Sequence, residues 1–521
     1  MKTRLIALAA LCCALAAVPP ALYAAPGLPS NNVAWVPAAA DADIERAFAA
    51  ARSTKKPILL YWGATWCPPC NQLKATLFNR QDFAVQARSF VAVHVDGDRP
   101  GAQALSRRFK VSGYPTMVLF NAEGAEITRL PGEVDAERVL ALMQLGLSGG
   151  RPVAAVLADA LGGKPLSANE WRLLAFYSWE TDDQTLVPKG ELPSVLARLA
   201  AASPPGDGET TTRLWLKALA ASDDGQGLKP DAAMRERVQR VLADPAQSRL
   251  QMDVLAAGAA DLVRLLSTDP EPELSPLRPA FDTMLQRLVQ DPTLSRGDRM
   301  GATISRIELA RLGVPKAQVQ VQLPAPLLKD LRELVTRVDR EITDGYERQA
   351  VITGAAHALG LAGLWEESDA LLKANLAKSH SPYYLMSQLG SNARKLGRNA
   401  EALRWYEQAF ETSEGPSTRL QWGAGYLAAL VDLAPTNETR IEKTAARLLA
   451  EAAKETAAFD GRSLRSLQRM GSKLVTWNGD GQRAAAIKRL QAQLDGLCPR
   501  VPAADGQRAA CQDLLKAKKV A

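Results

Sequence analysis

Two cysteines separated by two prolines are the residues of this chain best suited to do chemistry. They form the segment Cys67-Pro68-Pro69-Cys70, which follows Trp66. Two thiols at positions i and i+3 of a first helical turn lie on one side of it and can bond to each other. Unpaired N–H groups and the positive end of the helix dipole favour a thiolate on Cys67 at the helix N-terminus. The pattern predicts a reversible dithiol–disulfide switch.

The neighbouring residues predict the elements that position this motif. A strand-forming run over 57–62 precedes it, and a helical pattern over 71–78 follows it. Prolines fit a first helical turn, because its N–H groups have no helical partner to lose. Further strands are predicted over 91–96, 117–120 and 127–130, with a turn at 121–124 and helices over 104–109 and 134–147.

This succession resembles the thioredoxin family, on the tryptophan–dithiol motif and the later segment Gly113-Tyr114-Pro115-Thr116. The resemblance covers about residues 33–148. It implies an α/β thioredoxin-like domain over residues 30–148, with a central mixed sheet flanked by helices. It also implies that Pro115 is cis and that Trp66, Tyr114 and Pro115 face the substrate. By local pattern the domain is similar to the periplasmic thioredoxin-like domains of thiol–disulfide interchange proteins.

Two positions depart from the family pattern. Where thioredoxins carry a buried carboxylate that helps to move protons at the second cysteine, this chain has Tyr61. The lysine that usually accompanies that carboxylate is replaced by Ala92 or Val93. We therefore expect the proton of the resolving step to come from another source, such as water.

Other uses of the cysteine pair are less well supported. A disulfide that closes so short a loop adds little stability. Zinc needs more ligands, and the 3 histidines, His94, His357 and His380, are scattered. Asn71 stands where haem attachment requires a histidine. Copper(I) held by the two thiolates stays open, but no metal is expected, and His94 is predicted to be a core residue.

The N-terminal residues predict export. Residues 1–4 are basic, residues 5–18 are apolar but too few to span a bilayer, and small residues near position 25 offer a cleavage point. We interpret residues 1–25 as a signal peptide and expect a periplasmic protein with no later membrane span. Secretion, or lipid anchoring through Cys12 or Cys13, is the alternative.

Cys498 and Cys511 are predicted to form a structural disulfide. Two of the 6 cysteines lie in the signal peptide, so these two remain as a second pair beside Cys67 and Cys70. Pairing is favoured in an oxidising compartment. Cys498 ends a predicted helix, and a linker with two prolines leads to Cys511 on the last helix. The alternative is a second redox pair that relays electrons to the motif.

Residues 150–521 are predicted to form a large all-α domain, because Ala/Leu/Arg-rich segments recur there at helical spacing. The first helices are predicted over 152–161, 168–179, 191–202, 211–221, 232–243, 248–266, 277–290 and 297–311. The tryptophans of this region are expected to pack between helices: Trp171, Trp179, Trp215, Trp405 and Trp422.

Residues around 350–415 resemble tetratricopeptide repeats. Gly363 and Gly397 lie 34 residues apart, and Gly390 and Tyr406 stand where such repeats place small and large packing residues. Stacked helix pairs of this kind leave a concave face for a protein partner. A helical scaffold that packs against itself is the alternative.

Composition narrows the function further. The net charge of +7 is small for 521 residues, and no dense basic patch occurs, so nucleic-acid binding is not expected. We interpret the chain as an exported thiol–disulfide oxidoreductase that works as a reductase without a cofactor. Its partners would be protein thiols or disulfides and an upstream electron donor or acceptor. The alternative is a tetratricopeptide-like adaptor or chaperone-like protein whose thioredoxin domain grips a partner without turnover.

Overall fold

The computed structural model describes residues 33–516 except residues 133–134, 183, 189, 207, 223–224, 269–274, 316 and 504–505. The predicted signal peptide lies outside these described residues. Within them, every helix is too short or too polar to cross a membrane.

Five strands form one mixed sheet in the first part of the chain. They are β1 (Val36–Ala38), β2 (Ile58–Gly63), β3 (Val91–Asp96), β4 (Thr116–Phe120) and β5 (Glu126–Leu130). The strand order is β1-β3-β2-β4-β5, with β2 parallel to β3 and antiparallel to β4. The central strand β2 ends just before the cysteine motif. The mixed sheet predicted for this region is confirmed; β1 was not predicted, since it is a short edge strand that contains Pro37.

Five helices belong to this sheet region. They are α1 (Asp41–Thr54), α2 (Pro68–Thr76), α3 (Gln81–Ala87), α4 (Ala102–Arg108) and α5 (Ala136–Leu147). Helices α2, α4 and α5 agree with the predicted patterns, whereas α1 and α3 were not predicted. The predicted turn between β4 and β5 is present, with the N–H of Gly124 donating to the carbonyl of Asn121 over 3.1 Å.

The two faces of the sheet are buried in different ways. On one face, Leu60, Trp62 and Val118 pack with residues of α1 and α4. On the other face, Leu59 and Leu119 belong to an apolar core that continues beyond residue 148 into the following helices. The apolar core is thus continuous across the predicted domain boundary near 148. That boundary stays a prediction.

The rest of the described chain is helical, as predicted. Its first helices are α6 (Val153–Leu161), α7 (Ala168–Phe176), α8 (Leu192–Ala202), α9 (Glu209–Ala221), α10 (Ala232–Ala243), α11 (Pro245–Leu250), α12 (Met252–Ala257), α13 (Ala259–Leu266), α14 (Leu277–Gln290) and α15 (Arg296–Ala310). The later ones are α16 (Ala325–Glu341), α17 (Gly345–Leu361), α18 (Trp365–Asn375), α19 (Pro382–Lys395), α20 (Asn399–Thr412), α21 (Pro416–Leu433), α22 (Glu438–Ala452), α23 (Gly461–Trp477), α24 (Ala484–Leu497) and α25 (Gln507–Gln512).

The single helix predicted over 248–266 is wrong. Three short helices, α11 to α13, cover this stretch, with breaks at Gln251 and Gly258. The buried side chain of Gln251 donates from Nε2 to the carbonyl of Glu209 in α9 over 2.9 Å. This contact with another helix fixes the first break, which apolar periodicity alone does not reveal.

Helices α17 to α20 follow each other as two pairs with matching turns. Gly363 and Gly397 stand at these turns with φ values of 79° and 72°, a left-handed conformation that favours glycine. Between the second pair, Gly390 lies against the ring of Tyr406 and leaves room for it. The spacing of the two glycines thus reflects one turn geometry used twice.

A disulfide joins the last two helices. Cys498 follows α24, Cys511 lies in α25, and their Cα atoms are 5.6 Å apart. Both side chains are buried in an apolar cluster with Met470 and Leu474 of α23. The bridge thus links α25 to the end of α24, within an apolar cluster shared with α23.

Replacing both cysteines, in the variant Cys498→Ala/Cys511→Ala, should destabilise the helical region. The bridge spans 13 residues of sequence, a loop whose closure contributes roughly 3 kcal/mol on the chain-entropy model. Urea unfolding followed by far-ultraviolet circular dichroism measures the loss, and disulfide exchange at Cys67 should stay near the wild-type rate. A variant of unchanged stability that has lost exchange would instead support an electron relay.

Candidate active site around Cys67 and Cys70

Cys67 immediately precedes α2, and Cys70 lies in the first turn of that helix. The two form a disulfide with their Cα atoms 5.2 Å apart. Pro68 and Pro69 have no N–H, so Cys70 supplies the first backbone donor of the turn, and this N–H lies 3.3 Å from Sγ of Cys67. After reduction, the same donor and the helix N-terminus favour the thiolate on Cys67.

The side chain of Asn71 holds the loop that leads into the motif. It is fully buried, and its Nδ2 donates to the carbonyl oxygens of Thr65 and Cys67, both over 2.8 Å. From the helical region, Nε2 of His380 also lies 3.1 Å from the carbonyl oxygen of Thr65. The residue that rules out haem attachment therefore has a structural role in fixing the first cysteine.

The Tyr114–Pro115 peptide bond is cis, as the resemblance implies. Nε2 of Gln103 donates to the hydroxyl of Tyr114 over 2.7 Å and holds the ring in place. Tyr114 and Trp66 are half-buried and pack against the small cluster that contains both cysteines. The three residues predicted to face a substrate thus lie around the dithiol or on the adjoining loop.

Tyr61, at the position of the missing carboxylate, belongs to an aromatic cluster below the motif. Its ring stacks on His94 with centroids 5.0 Å apart, and Trp35 packs against both rings. Burial raises the pKa of Tyr61 well above its usual range, so the hydroxyl stays protonated. Tyr61 therefore fills the space of the carboxylate but cannot accept a proton in its place.

Lys74 and Asp96 are two titratable groups close to this aromatic cluster. Lys74 lies one helical turn after Cys70, on the same face of α2. Burial lowers the pKa of Lys74 and raises the pKa of Asp96, so both values move toward neutrality. Shifts in these directions make both groups candidates for proton exchange with the motif.

The carboxylate of Asp98 joins the motif to the helical region. It accepts hydrogen bonds from Nε1 of Trp66 over 2.9 Å and from Oγ1 of Thr418 in α21 over 2.6 Å. It also forms an ion pair with Arg462 of α23. The guanidinium of Arg462 lies 5.0 Å from the ring centroid of Trp66 and 5.4 Å from that of Tyr114. One acidic side chain therefore organises contacts from three parts of the chain.

Aromatic residues of the helical region complete this cover. Tyr384 of α19 stacks on Trp66 with centroids 5.9 Å apart, and Trp422 of α21 lies 5.3 Å from Trp66. Trp422 packs between helices as expected, against Tyr383 and Tyr384 of α19, and its ring also contacts the motif. We call Tyr384, Thr418, Trp422 and Arg462 the cover.

The cover leaves little of the disulfide accessible. Cys67 is 3% exposed and Cys70 is 0% exposed. A cavity of about 250 Å³ reaches Cys67 between Pro69 and Tyr114 on one side and Arg462 and neighbouring residues of the helical region on the other. This volume admits a narrow group such as a cysteine side chain, whereas a folded protein surface needs the cover to move.

The second cysteine pair is separate from this site. Cys498 and Cys511 lie in a buried cluster of α21 to α25, whereas Cys67 and Cys70 lie in the small cluster at the end of β2. The bridge touches α23, which carries Arg462 at its other end. The structure therefore does not bring the two cysteine pairs together.

Comparison with known proteins agrees with this geometry. The family model of a thioredoxin-like domain matches residues 44–146. This part of the chain is a thioredoxin-like domain. Four of the five strands, the cysteine pair at the start of α2 and the cis proline lie within this range.

Three relatives of the thioredoxin-like domain are bacterial interchange proteins. The chain is 31% identical over 119 residues to thiol:disulfide interchange protein DsbD 2 of Pseudomonas aeruginosa, covering 22% of this chain and 20% of that protein. DsbD 1 of the same organism is 31% identical over 123 residues, covering 22% and 20%. DsbD of Vibrio vulnificus is 30% identical over 106 residues, covering 20% and 18%. The chain spans about a fifth of the length of these curated relatives.

Sequence reasoning missed Asp98 and all four residues of the cover. Asp98 follows β3 closely, at the end of the sheet where the motif lies, and this position was an available signal. Arg462 lies at the start of an unremarkable helix, 364 residues further along the chain. Nothing in its local sequence indicates that it reaches the dithiol.

His94 should make the folded protein less stable as the pH falls. Burial, with a smaller contribution from the positive charges of Lys74 and Arg99, lowers the pKa of His94 to about 4 from 6.5. Below pH 6.5 the unfolded chain takes up a proton that the folded chain does not, so stability decreases until the pH reaches about 4. The difference amounts to roughly 3 kcal/mol.

The variant His94→Phe keeps a ring that can stack on Tyr61 and removes the imidazole that takes up the proton. Between pH 6.5 and 4 its stability, measured by urea unfolding, should fall less than that of the wild type by up to the same roughly 3 kcal/mol. Parallel decreases in the two proteins would show that His94 does not titrate differently on unfolding.

Removing Arg462 should loosen the cover. Arg462→Met keeps much of the side-chain length but leaves the buried carboxylate of Asp98 without its ion pair, a change that costs about 3 kcal/mol or more. We expect insulin reduction driven by dithiothreitol to become at least several-fold faster. Arg394→Met is the matched control, since Arg394 pairs with Asp432 within the helical region and does not line the cavity that reaches Cys67. Equal rates for both variants would contradict the role of the cover.

Proposed function

We propose that this protein is an exported thiol–disulfide oxidoreductase that works through Cys67 and Cys70. The observation that carries the proposal is the position of the pair: Cys67 precedes α2 and receives the Cys70 N–H, inside a thioredoxin-like domain similar to interchange proteins. A CxxC disulfide closes too short a loop to stabilise the fold appreciably. Exchange is the chemistry that this arrangement suits best.

The proposed reaction has two exchange steps. The Cys67 thiolate attacks one sulfur of a substrate disulfide, so that a mixed disulfide forms and the other substrate sulfur leaves as a thiolate. The Cys70 thiol then loses its proton and attacks Sγ of Cys67, which releases the second substrate sulfur as a thiolate. The substrate gains two electrons, and the protein ends with the Cys67–Cys70 disulfide. Sulfur carries both electrons, so no cofactor is needed.

The proton released from Cys70 needs an acceptor other than Tyr61. Water is the simplest acceptor. Lys74 follows Cys70 on the same helical face, and burial lowers the pKa of its ammonium group, so we propose it as a candidate acceptor. Burial also raises the pKa of Asp96, and we propose its carboxyl as a second candidate acceptor.

We propose that the protein works as a reductase. Pro68 and Pro69 donate no hydrogen bond, so the Cys70 N–H is the backbone donor that reaches Sγ of Cys67. A single backbone donor stabilises the Cys67 thiolate less than several donors would. Less stabilisation of the thiolate makes the disulfide harder to reduce and the dithiol a better electron donor. Continued turnover requires a dithiol protein that reduces the Cys67–Cys70 bridge. The place of this exchange is proposed to be the periplasm.

The helical region, proposed to extend over 150–521, is assigned two roles. It covers the dithiol, and its tetratricopeptide-like part around 350–415 offers helix pairs for protein contact. The low exposure of Cys67 favours one other function, an adaptor whose thioredoxin-like domain is held by the helices without turnover. Catalytic reduction of insulin separates the two, because an adaptor gives none even when Cys67 is reduced.

Two cysteine variants test the proposal. Cys67→Ser should abolish insulin reduction, because it removes the attacking thiolate. Cys70→Ser should accumulate a mixed disulfide between Cys67 and insulin, visible as a covalent adduct that dithiothreitol dissolves. Adducts formed through Cys70 in the Cys67→Ser variant would reverse the assigned roles, and no turnover by the wild type would favour the adaptor.

The reductase direction predicts a low redox potential. Equilibration of Cys67 and Cys70 with glutathione buffers should give a value near that of thioredoxin, about −270 mV, rather than near that of a strong oxidant, about −120 mV. Mass spectrometry of alkylated protein measures the reduced fraction at each buffer ratio. A value above roughly −160 mV would contradict the reductase assignment.

A further inference from the structure

A second, larger cleft adjoins the candidate active site. Its volume is about 460 Å³, which lies within the usual range for ligand pockets. Pro69, Tyr114 and Pro115 of the thioredoxin-like domain form one wall. Pro69 and Tyr114 also line the cavity that reaches Cys67, so the two spaces meet at the same residues. A molecule in the cleft therefore lies next to the dithiol.

The opposite wall comes from the helical region and is held firmly. It includes Trp179 and Glu180, in the segment after α7. The N–H of Ser178 donates to the carbonyl of Arg129 in β5 over 3.1 Å, and Nη1 of Arg129 donates to the carbonyl of Thr181 over 3.1 Å. Helices α7 to α9 also share the apolar core of the sheet. This wall should keep its place when the cover moves.

Trp179 is a buried residue with an unused donor. It is 5% exposed, and its ring packs on Tyr177 with centroids 4.7 Å apart. Among the residues that the structure describes, its indole Nε1 has no hydrogen-bond partner. A buried N–H without a partner is costly, so a ligand that accepts a hydrogen bond here would gain affinity. Trp179 was predicted to pack between helices, and its position in the cleft was not predicted.

The lining indicates a neutral ligand with an apolar part. Leu192 and Leu196 of α8 face the cleft. Its cationic groups already have partners, since Arg213 pairs with Asp253 and Lys217 lies 3.0 Å from Glu180. Neither a phosphate nor a free carboxylate finds an unpaired cation in this wall, whereas a peptide supplies carbonyl acceptors and apolar side chains.

We propose that this cleft binds the segment of substrate polypeptide next to the reacting cysteine, with Trp179 Nε1 donating to one of its backbone carbonyls. The inference rests on the proposed exchange at Cys67 and identifies where its substrate is held. The segment is extended, passes Pro115 and Pro69, and places an apolar side chain against Leu192 and Leu196. Trp179 is a specificity-determining residue and takes no part in the exchange of electrons.

The variant Trp179→Phe tests the hydrogen bond. It keeps an aromatic ring and removes the N–H. The smaller ring lowers stability through lost packing, whereas a purely structural role leaves the peptide kinetics unchanged. Two probes are compared: an octapeptide whose single cysteine carries a nitrothiobenzoate in disulfide linkage, and the small disulfide dithiobis(nitrobenzoate). We expect KM for the peptide to rise roughly five- to tenfold, with kcat and the rate on the small disulfide unchanged.

A second pair of variants tests the cleft without touching its core. Ala220 is exposed, lines the cleft and is the penultimate residue of α9. Ala201 is exposed and is the penultimate residue of α8, outside the cleft lining. Ala220→Trp should obstruct the cleft and lower kcat/KM for the peptide at least tenfold, whereas Ala201→Trp should match the wild type.

The outcomes separate this inference from the proposed function. Loss of peptide turnover in Trp179→Phe and Ala220→Trp, with the small disulfide still reduced, supports the cleft. Unchanged peptide kinetics in both variants overturns it and leaves exchange at Cys67 intact. A wild-type protein that reduces neither probe overturns the proposed function itself. Equal losses on both probes would show damage to the dithiol rather than to peptide binding, and would also count against the cleft.

Discussion

The partly buried carboxylate of Asp98 makes the interactions on which the arrangement of this protein depends. Its oxygens accept from Trp66 beside the dithiol and from Thr418, and they pair with Arg462. A carboxylate with so little access to water needs these partners, because an unpaired buried charge is strongly unfavourable. The helices that carry Thr418 and Arg462 must therefore sit against the cysteine motif. The low exposure of Cys67 follows from this requirement.

The helical region meets the thioredoxin-like domain in two physically different ways. Helices α6 to α9 share an apolar core with the sheet, which should hold them in place throughout the reaction. The contact through α17 to α23 includes packing of α17 on α2, and around Trp66 it consists of ion pairs, hydrogen bonds and stacked rings. Polar contacts of this kind exchange more readily with water than a shared core does. A wall that shares an apolar core with the sheet and a cover held by ion pairs, hydrogen bonds and stacked rings therefore flank the same dithiol.

The helical region limits access to the dithiol. A bare thioredoxin-like face is open to many thiols, whereas this one is reached through a narrow cavity beside Pro69 and Tyr114. If exchange occurs as proposed, we expect substrate choice to depend on helices that are distant in sequence from the cysteines. The relatives from Pseudomonas and Vibrio share about a fifth of their length with this chain, so such selectivity is proposed for this chain alone.

Local sequence was sufficient for the parts of the site that depend on local geometry. The order of strand, Cys67-Pro68-Pro69-Cys70 and helix predicted the mixed sheet, and the Tyr114–Pro115 bond is cis as the resemblance implied. The missed β1 and the broken 248–266 stretch depend on edge pairing and on a contact from Gln251 to α9. Periodicity does not encode such contacts.

The cover could not be predicted for the same reason. Asp98 and Arg462 are 364 positions apart, and only the folded chain brings them together. Trp422 and Trp179 are ordinary aromatic residues in helical surroundings, and their apolar character predicted packing without showing against what. The meaning of such residues depends on which surfaces the fold places opposite each other.

Alkylation of the fully reduced chain tests the central claim most directly. The reduced protein is exposed briefly to iodoacetamide at a pH where all its thiols are ionised, and mass spectrometry locates the label. The account predicts that Cys67 is labelled before Cys70, and far more slowly than in the same chain unfolded in urea, because Cys67 lies under the cover. Labelling of Cys70 first, or of Cys67 at the rate of the unfolded chain, would contradict it.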